Sequence, residues 1–248
     1  MNINQKRFNN SILKDYSNFD SNKISNVGKM QVLKAERILI KIIKVIHMVN
    51  LTKHEKLSSI LKIIVDFAGV NQNFYYILGS YALRNEREIS DLDCIFSTHE
   101  WNKLRGAFPT PEDKIFPWRT EWYNNQWRWF IDLTNEYKIV DPLATDFSIE
   151  AFQVEPNMGF PNNTFSLNHL KKFNGLEKDN NGHFHFSFKT LLHWKKIMNR
   201  PEDQPDIERL EILLRNTKSP RKSPRKSARK SARKSAQKSP SKPFFGLF

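Results

Sequence analysis

Two apolar runs joined by a short charged segment set the frame of this chain. The first, Tyr75-Tyr76-Ile77-Leu78, ends in Gly79-Ser80, and eleven residues after Ser80 the second opens as Asp91-Leu92-Asp93-Cys94-Ile95-Phe96. Both are short, bounded by turn residues, and read as strands. On a strand, residues i and i+2 point to the same face, so Asp91 and Asp93 share one. Two carboxylates on one face repel unless a positive group lies between them. A hard divalent cation such as Mg²⁺ suits carboxylate oxygens and keeps waters or substrate phosphates as its other ligands.

Gly79 lets the backbone turn sharply and approach a ligand closely. Ser80 and the amides after it start a short helix whose N-terminus attracts an anion. Phosphates at that turn and metal at the aspartate pair would hold a nucleoside triphosphate between them. Either half alone is an ordinary turn or loop ending; the specificity lies in their order and in the run attached to each. The pattern resembles the nucleotidyltransferase superfamily that includes DNA polymerase β, with its Gly-Ser turn followed by Asp-x-Asp on the next strand. The resemblance implies an enzyme of the small bacterial-type or viral kind, moving a nucleotidyl group from an NTP to an acceptor hydroxyl with Mg²⁺ or Mn²⁺. The rival expectation is a non-catalytic, nucleic-acid-associated protein that retains the fold.

A later stretch, Leu191-Leu192-His193-Trp194-Lys195 through Arg200-Pro201-Glu202-Asp203 to Asp206-Ile207, is similar to the helices that follow the catalytic sheet in small members of that superfamily. Those proteins often carry Lys where this chain has Glu202, so the charge there is reversed. Read for packing alone, Leu191, Leu192 and Trp194 bury, Pro201 breaks the helix, and Asp206 sits near the next helix start.

The superfamily adds a third acid from a later strand. Glu150, in Ile149-Glu150-Ala151-Phe152, resembles the Ile-Glu-Ile-Phe strand of several small members and is preferred; Asp132, in Phe130-Ile131-Asp132-Leu133, is the alternative. Asp141 precedes Pro142 and marks a strand end. Asp91, Asp93 and Glu150 are thus the expected catalytic and metal-binding set. Gly79, Ser80, Arg84 and Lys195 are the expected nucleotide contacts, with Arg87 as a further phosphate partner. His183 and His185 alternate with Phe184 and Phe186, which predicts a β-bridge with the phenylalanines inward and the histidines outward.

The expected fold is α+β: a small mixed β-sheet with flanking N- and C-terminal helices on one side and a disordered basic tail. Helices are expected over ~27–49 and ~53–67, the second capped by Thr52 with Glu55 three residues on. Strands follow at ~74–78 and ~92–96, with a short helix at ~80–86 between them and a helix from about 99 to 107. Residues 108–126 read as irregular. Strands are expected over 126–134, 137–140 and 148–154, with a turn at Asn135-Glu136. Helices at ~166–173, ~187–199 and ~204–215 close the fold. Residues 1–23 read as disordered, 24–217 as the folded domain, and 218–248 as the tail.

One cysteine, Cys94, excludes an intramolecular disulfide and reads as a small buried hydrophobe. No signal peptide opens the chain. The longest apolar stretch, 38–49, is broken by Lys41, Lys44 and His47 and is too short and charged to span a bilayer. A cytoplasmic or nuclear setting, including a viral factory or virion, is expected rather than secretion or a membrane.

The net charge of +14 is unevenly placed. Residues 218–248 hold eleven of the 40 Lys and Arg and no acid, which leaves 29 basic against 26 acidic residues elsewhere. From Ser219 the period is four: Ser-Pro-Arg-Lys twice, Ser-Ala-Arg-Lys twice, Ser-Ala-Gln-Lys, then Ser-Pro-Ser-Lys. This resembles the tails of linker histones and implies salt-dependent contact with nucleic acid through residues 218–242. The apolar end, Phe244-Phe245-Gly246-Leu247-Phe248, reads as a docking peptide; Phe-Gly-x-Phe is similar to short motifs that bind stress-granule scaffold proteins. The Asn/Lys/Ile-rich style with a histone-like tail resembles proteins of large DNA viruses.

Overall fold

The computed structural model describes residues 26–108, 117–123, 126–144, 146–153 and 167–218. The N-terminal residues 1–23, the basic repeat from Ser219 and the Phe-rich end therefore lie outside the described residues.

Helix α1 (Asn26–Ile46) and α2 (Lys53–Ala68) come first. Apolar residues at i, i+4 and i+7 put Ile38, Ile42 and Val45 of α1 against Leu57, Ile60, Leu61 and Ile64 of α2. The start of α2 is fixed by the capping box: Glu55 donates its amide to the Thr52 hydroxyl, and Thr52 donates its own to the Glu55 carboxylate. Gly69, with φ +65, ends the helix in the left-handed conformation.

Among the described residues, seven strands form one mixed sheet: β1 (Tyr75–Ile77), β2 (Asp91–Phe96), β3 (Trp118–Tyr123), β4 (Gln126–Asp132), β5 (Ser148–Gln153), β6 (Leu176–Lys178) and β7 (Phe184–Phe186). Their order across the sheet is β3-β4-β5-β2-β1-β7-β6. β2 pairs parallel with β5 and β1 parallel with β7; the other neighbours are antiparallel. The remaining helices are α3 (Thr98–Ala107), α4 (Thr134–Lys138), α5 (Leu167–Lys172), α6 (Phe188–Met198) and α7 (Gln204–Lys218).

The helices cover both faces rather than one. Leu92, Cys94 and Phe96 of β2 join Ile149 and Ala151 of β5 in the core beneath α1, α2 and α3. The alternate residues face the other way, where Tyr76 and Ile95 meet Leu170, Leu191 and Leu210 of α5, α6 and α7. Strand alternation in a sheet buried on two sides requires a second layer.

Three other expectations are corrected. Residues 118–123, read as irregular, form β3, paired with β4 along its length. Its polar positions had hidden the alternation: Arg119 and Glu121 face one way while Trp118 is buried on the other side against Phe108. The expected strand at 137–140 is absent; α4 occupies that stretch. β4 already has β3 and β5 as partners, so it has no free edge for a strand that follows it directly. Asp132 Oδ1 accepts the Thr134 amide at 2.9 Å, and Tyr137 stacks on Phe147 with centroids 4.1 Å apart.

The two histidines point inward. His183 Nε2 lies 3.0 Å from the Ser58 carbonyl and must donate to it, so Nδ1 accepts from the Tyr75 hydroxyl at 2.5 Å. His185 donates from Nδ1 to the Phe186 carbonyl at 2.8 Å. Burial holds both imidazoles neutral, His185 down to about 4. β7 is thus buried on both sides: Phe186, with Phe184 packed nearby, joins Leu170 and Leu191 as expected, while these hydrogen bonds admit the histidines to the other side.

Candidate active site

The Gly-Ser turn is anchored on the strand that carries the aspartates. The Leu78 amide donates to the Asp93 carbonyl at 2.8 Å, and Gly79 then takes φ +68 as the chain enters a 3-10 turn over Gly79–Leu83. A Cβ at Gly79 would lie 3.7 Å from Asp93 Oδ2, an ordinary contact. Glycine is therefore needed for its backbone angle rather than for room.

The sheet register brings the acids together. Asp93 is the direct neighbour of Glu150, and Asp91 of Ser148, across the parallel β2–β5 pair. Glu150 is flanked on its other side by Phe130, and Ser148 by Asp132. Asp132 thus stands two strands from Asp91, about 10 Å away at ordinary strand spacing. Glu150, the preferred third acid, is one strand from Asp93. Its carboxylate is engaged by Arg128, whose Nη1 donates to both oxygens at 2.9 Å; the same guanidinium also meets Glu121 and lies over the Phe130 ring.

Like charges crowd this face. Burial, then Asp91 and Glu150, push the Asp93 carboxyl up to about 7, with Arg200 opposing. Burial and then Asp146 raise Asp91. Asp146 was not among the residues singled out in the sequence; it lies just before β5, and only the register of that strand brings it near Asp91.

A cavity of about 420 Å³ opens over the aspartates. Gly79, Ser80, Asp91 and Asp93 form one wall, and Trp194, Lys195, Met198 and Arg200 the facing one, with Ile95 and Phe152 beside them. Gly79, Ser80, Asp91, Asp93 and Lys195 are thus brought together, with Glu150 adjacent through its strand.

The cations divide differently from the sequence expectation. Lys195 reaches the cavity wall but is buried in ion pairs with Asp203 at 2.5 Å and Asp206 at 3.0 Å. Arg87 donates through Nε and Nη2 to Asp206, each at 3.0 Å. Arg84 lies over the Tyr81 ring, 4.8 Å from its centroid, away from the cavity. The cation at the rim is Arg200. Asp203 grips it through Nε at 2.7 Å and Nη2 at 3.0 Å, and it acts electrostatically on Asp93. The Arg-Pro pair was visible in the sequence, but not that the left-handed Asn199 at the end of α6 turns Arg200 back over the cleft. Glu202 is exposed and 3.5 Å from Arg200.

Among the described residues, no three His, Cys, Asp or Glu side chains converge as a ready metal site. The donor set nonetheless fits a hard divalent cation: Asp91 and Asp93 share a face, are raised by burial and then by neighbouring carboxylates, and front a cavity. No helix among the described residues is long and apolar enough to cross a membrane. No family model, curated protein or solved structure matches the chain.

Proposed function

We propose that this protein is a metal-dependent nucleotidyltransferase, related in fold to the superfamily that includes DNA polymerase β, which moves a nucleotidyl group from an NTP to an acceptor hydroxyl. The observation that carries this reading is the register of Asp93 with Glu150, with Asp91 and Asp93 beside the Gly79-Ser80 turn on the wall of one cavity.

Asp91 and Asp93 would hold Mg²⁺ or Mn²⁺, with Glu150 the third carboxylate once released from Arg128. A cation bound there supplies charge neutralisation for the leaving pyrophosphate and a lowered pKa for the attacking hydroxyl. The chain's own groups bind and orient. The turn at Gly79-Ser80 presents backbone amides to phosphate. Arg200, held in a fork by Asp203, offers its charge to the triphosphate. Trp194 and Phe152 give an apolar wall of the kind on which a nucleobase packs.

The test is incubation of the full chain with each α-labelled NTP and Mg²⁺ or Mn²⁺, in the presence of cell extract, beside Asp91→Asn/Asp93→Asn. Metal-dependent label transfer with pyrophosphate release, lost in the variant, supports the reading. Equal labelling by both proteins, or none by either, sinks it.

The second reading is a non-catalytic protein that keeps the fold and contacts nucleic acid through residues 218–242. The engagement of Glu150 by Arg128 favours it. Under that reading, removing residues 218–248 abolishes nucleic-acid retention, and no nucleotide is transferred with or without them.

A further inference from the structure

We infer that the acceptor is this chain's own C-terminal repeat, whose serine hydroxyls from Ser227 onward receive the nucleotidyl group within the same molecule. The inference rests on the nucleotidyltransferase reading above and names the substrate of that site.

Charge complementarity carries the first part. The face of the sheet that bears the cavity presents Asp91 and Asp93 from β2, Glu150 from β5 and Asp132 from β4, with Asp146 close to Asp91. The arginines on that face are already matched: Arg119 to Glu121 at 3.2 Å, and Arg128 to Glu121 and Glu150. A bound triphosphate adds further negative charge. The segment joined directly to α7 has the opposite character, with eleven Lys or Arg and no acid in residues 218–248. Asp91, Asp93, Asp132 and Asp146 make no ion pair among the described residues, and a face with such acids next to a polycationic segment of the same chain draws that segment in at high effective concentration. Each four-residue period from Ser219 carries at least one hydroxyl among its cations.

Reach decides which hydroxyls serve. The cavity lies at the C-terminal end of α6 and beside Asp203 and Asp206 at the start of α7. α7 runs back antiparallel to α6, with Lys196 paired to Glu211 at 2.6 Å. From Asp206 to Lys218 the helix therefore carries the chain about 18 Å from the cavity at 1.5 Å per residue. Returning that distance takes about six residues at roughly 3.3 Å each. Ser219 is excluded, Ser223 stands at the limit, and Ser227, Ser231, Ser235, Ser239 and Ser241 are within range.

The step balances without a further reactant. A serine Oγ–P bond forms to the α-phosphorus, and the bond from that phosphorus to the oxygen bridging to the β-phosphate breaks. Pyrophosphate leaves, and the hydroxyl proton passes to solvent. Each event adds one phosphodiester negative charge, so modification neutralises the repeat in steps and weakens its hold on phosphate backbones.

The test uses the full chain with Mg²⁺ and each NTP. It is read by intact mass and peptide mapping at two protein concentrations tenfold apart, with nucleotide binding followed in parallel by a fluorescent NTP analogue. The expected result is nucleotidyl adducts on Ser227 to Ser241, at a first-order rate unchanged by dilution. Ser219 should stay bare, and the adducts should vanish in Asp91→Asn/Asp93→Asn. Alanine at Ser227, Ser231, Ser235, Ser239 and Ser241 together should abolish them, while Ser219→Ala changes nothing. A bare repeat in a protein that binds the NTP analogue and labels a component of cell extract overturns this inference and leaves the nucleotidyltransferase reading standing. A rate that rises with protein concentration overturns transfer within one molecule. No nucleotide binding and no transfer to anything overturns both readings.

Discussion

Asp93 on β2 and Glu150 on β5 are direct register partners, so two carboxylates 57 positions apart in the chain stand side by side on one face of the sheet. With Asp91 on the same face, they form a concentration of negative charge that the fold maintains at some cost, and several measurable consequences follow from it.

The first concerns pH. The Asp93 carboxyl is raised from 3.8 to about 7, by burial before Asp91 and Glu150. A carboxyl raised in the folded state contributes stability at low pH, and that contribution is lost as pH climbs from about 4 to about 7. Asp93→Asn should match the wild-type Tm near pH 4 and exceed it by several degrees at pH 8, a difference on the order of a few kcal/mol. Added Mg²⁺ at pH 8 should raise the wild-type Tm and leave the variant's unmoved. Thermal melts across pH, with and without metal, check both.

Arg128 keeps Glu150 and Glu121 compatible, with its side chain only 13% exposed. Arg128→Met leaves the part-buried Glu150 without its cation and Glu121 with Arg119 alone, at a cost of about 3 kcal/mol. Urea unfolding should show a lower midpoint at unchanged slope. The Asp93 titration, followed by carbon NMR, should move further upward as Glu150 loses its counter-charge.

Lys195 and Arg200 should behave oppositely. Lys195 is the buried centre of pairs with Asp203 and Asp206, so Lys195→Met should cost about 3–5 kcal/mol whatever the ligand. The Arg200 side chain is 47% exposed at the cavity rim, and Arg200→Ala should change Tm little while weakening NTP binding roughly tenfold. Arg84→Ala should lose its contact with the Tyr81 ring and its hydrogen bond to the Tyr81 carbonyl, on the order of 1 kcal/mol, with NTP affinity unchanged. Calorimetry on the three variants separates structural from ligand-facing cations.

Gly79→Ala isolates backbone strain, because the added methyl has ordinary room beside Asp93. At φ +68 the cost should be about 1–2 kcal/mol. Loss of NTP binding beyond that ascribable to stability would mark the turn as a ligand contact.

What the sequence alone determined is local. The alternation of β2 places Asp91 and Asp93 on one face, Thr52 and Glu55 start α2, and Gly79 makes the turn. Each follows from periodicity or from a residue's own conformational limits. What only the tertiary structure decided is partnership. His183 and His185 read as outward because imidazole is polar, yet both are buried: the Tyr75 hydroxyl and the Ser58 carbonyl satisfy His183, and the Phe186 carbonyl accepts from His185 Nδ1. β3 was hidden because Arg119 lies over the Phe130 ring and Glu121 pairs with Arg128, partners on β4 that a linear reading does not supply. Lys195 reads as a phosphate contact until Asp203 and Asp206 close around it, and Asp146 is an ordinary loop acid until the β2–β5 register brings it beside Asp91. Charges and hydrogen-bonding groups take their roles from neighbours distant in the chain, and that pairing is set by packing of the whole sheet rather than by any local pattern.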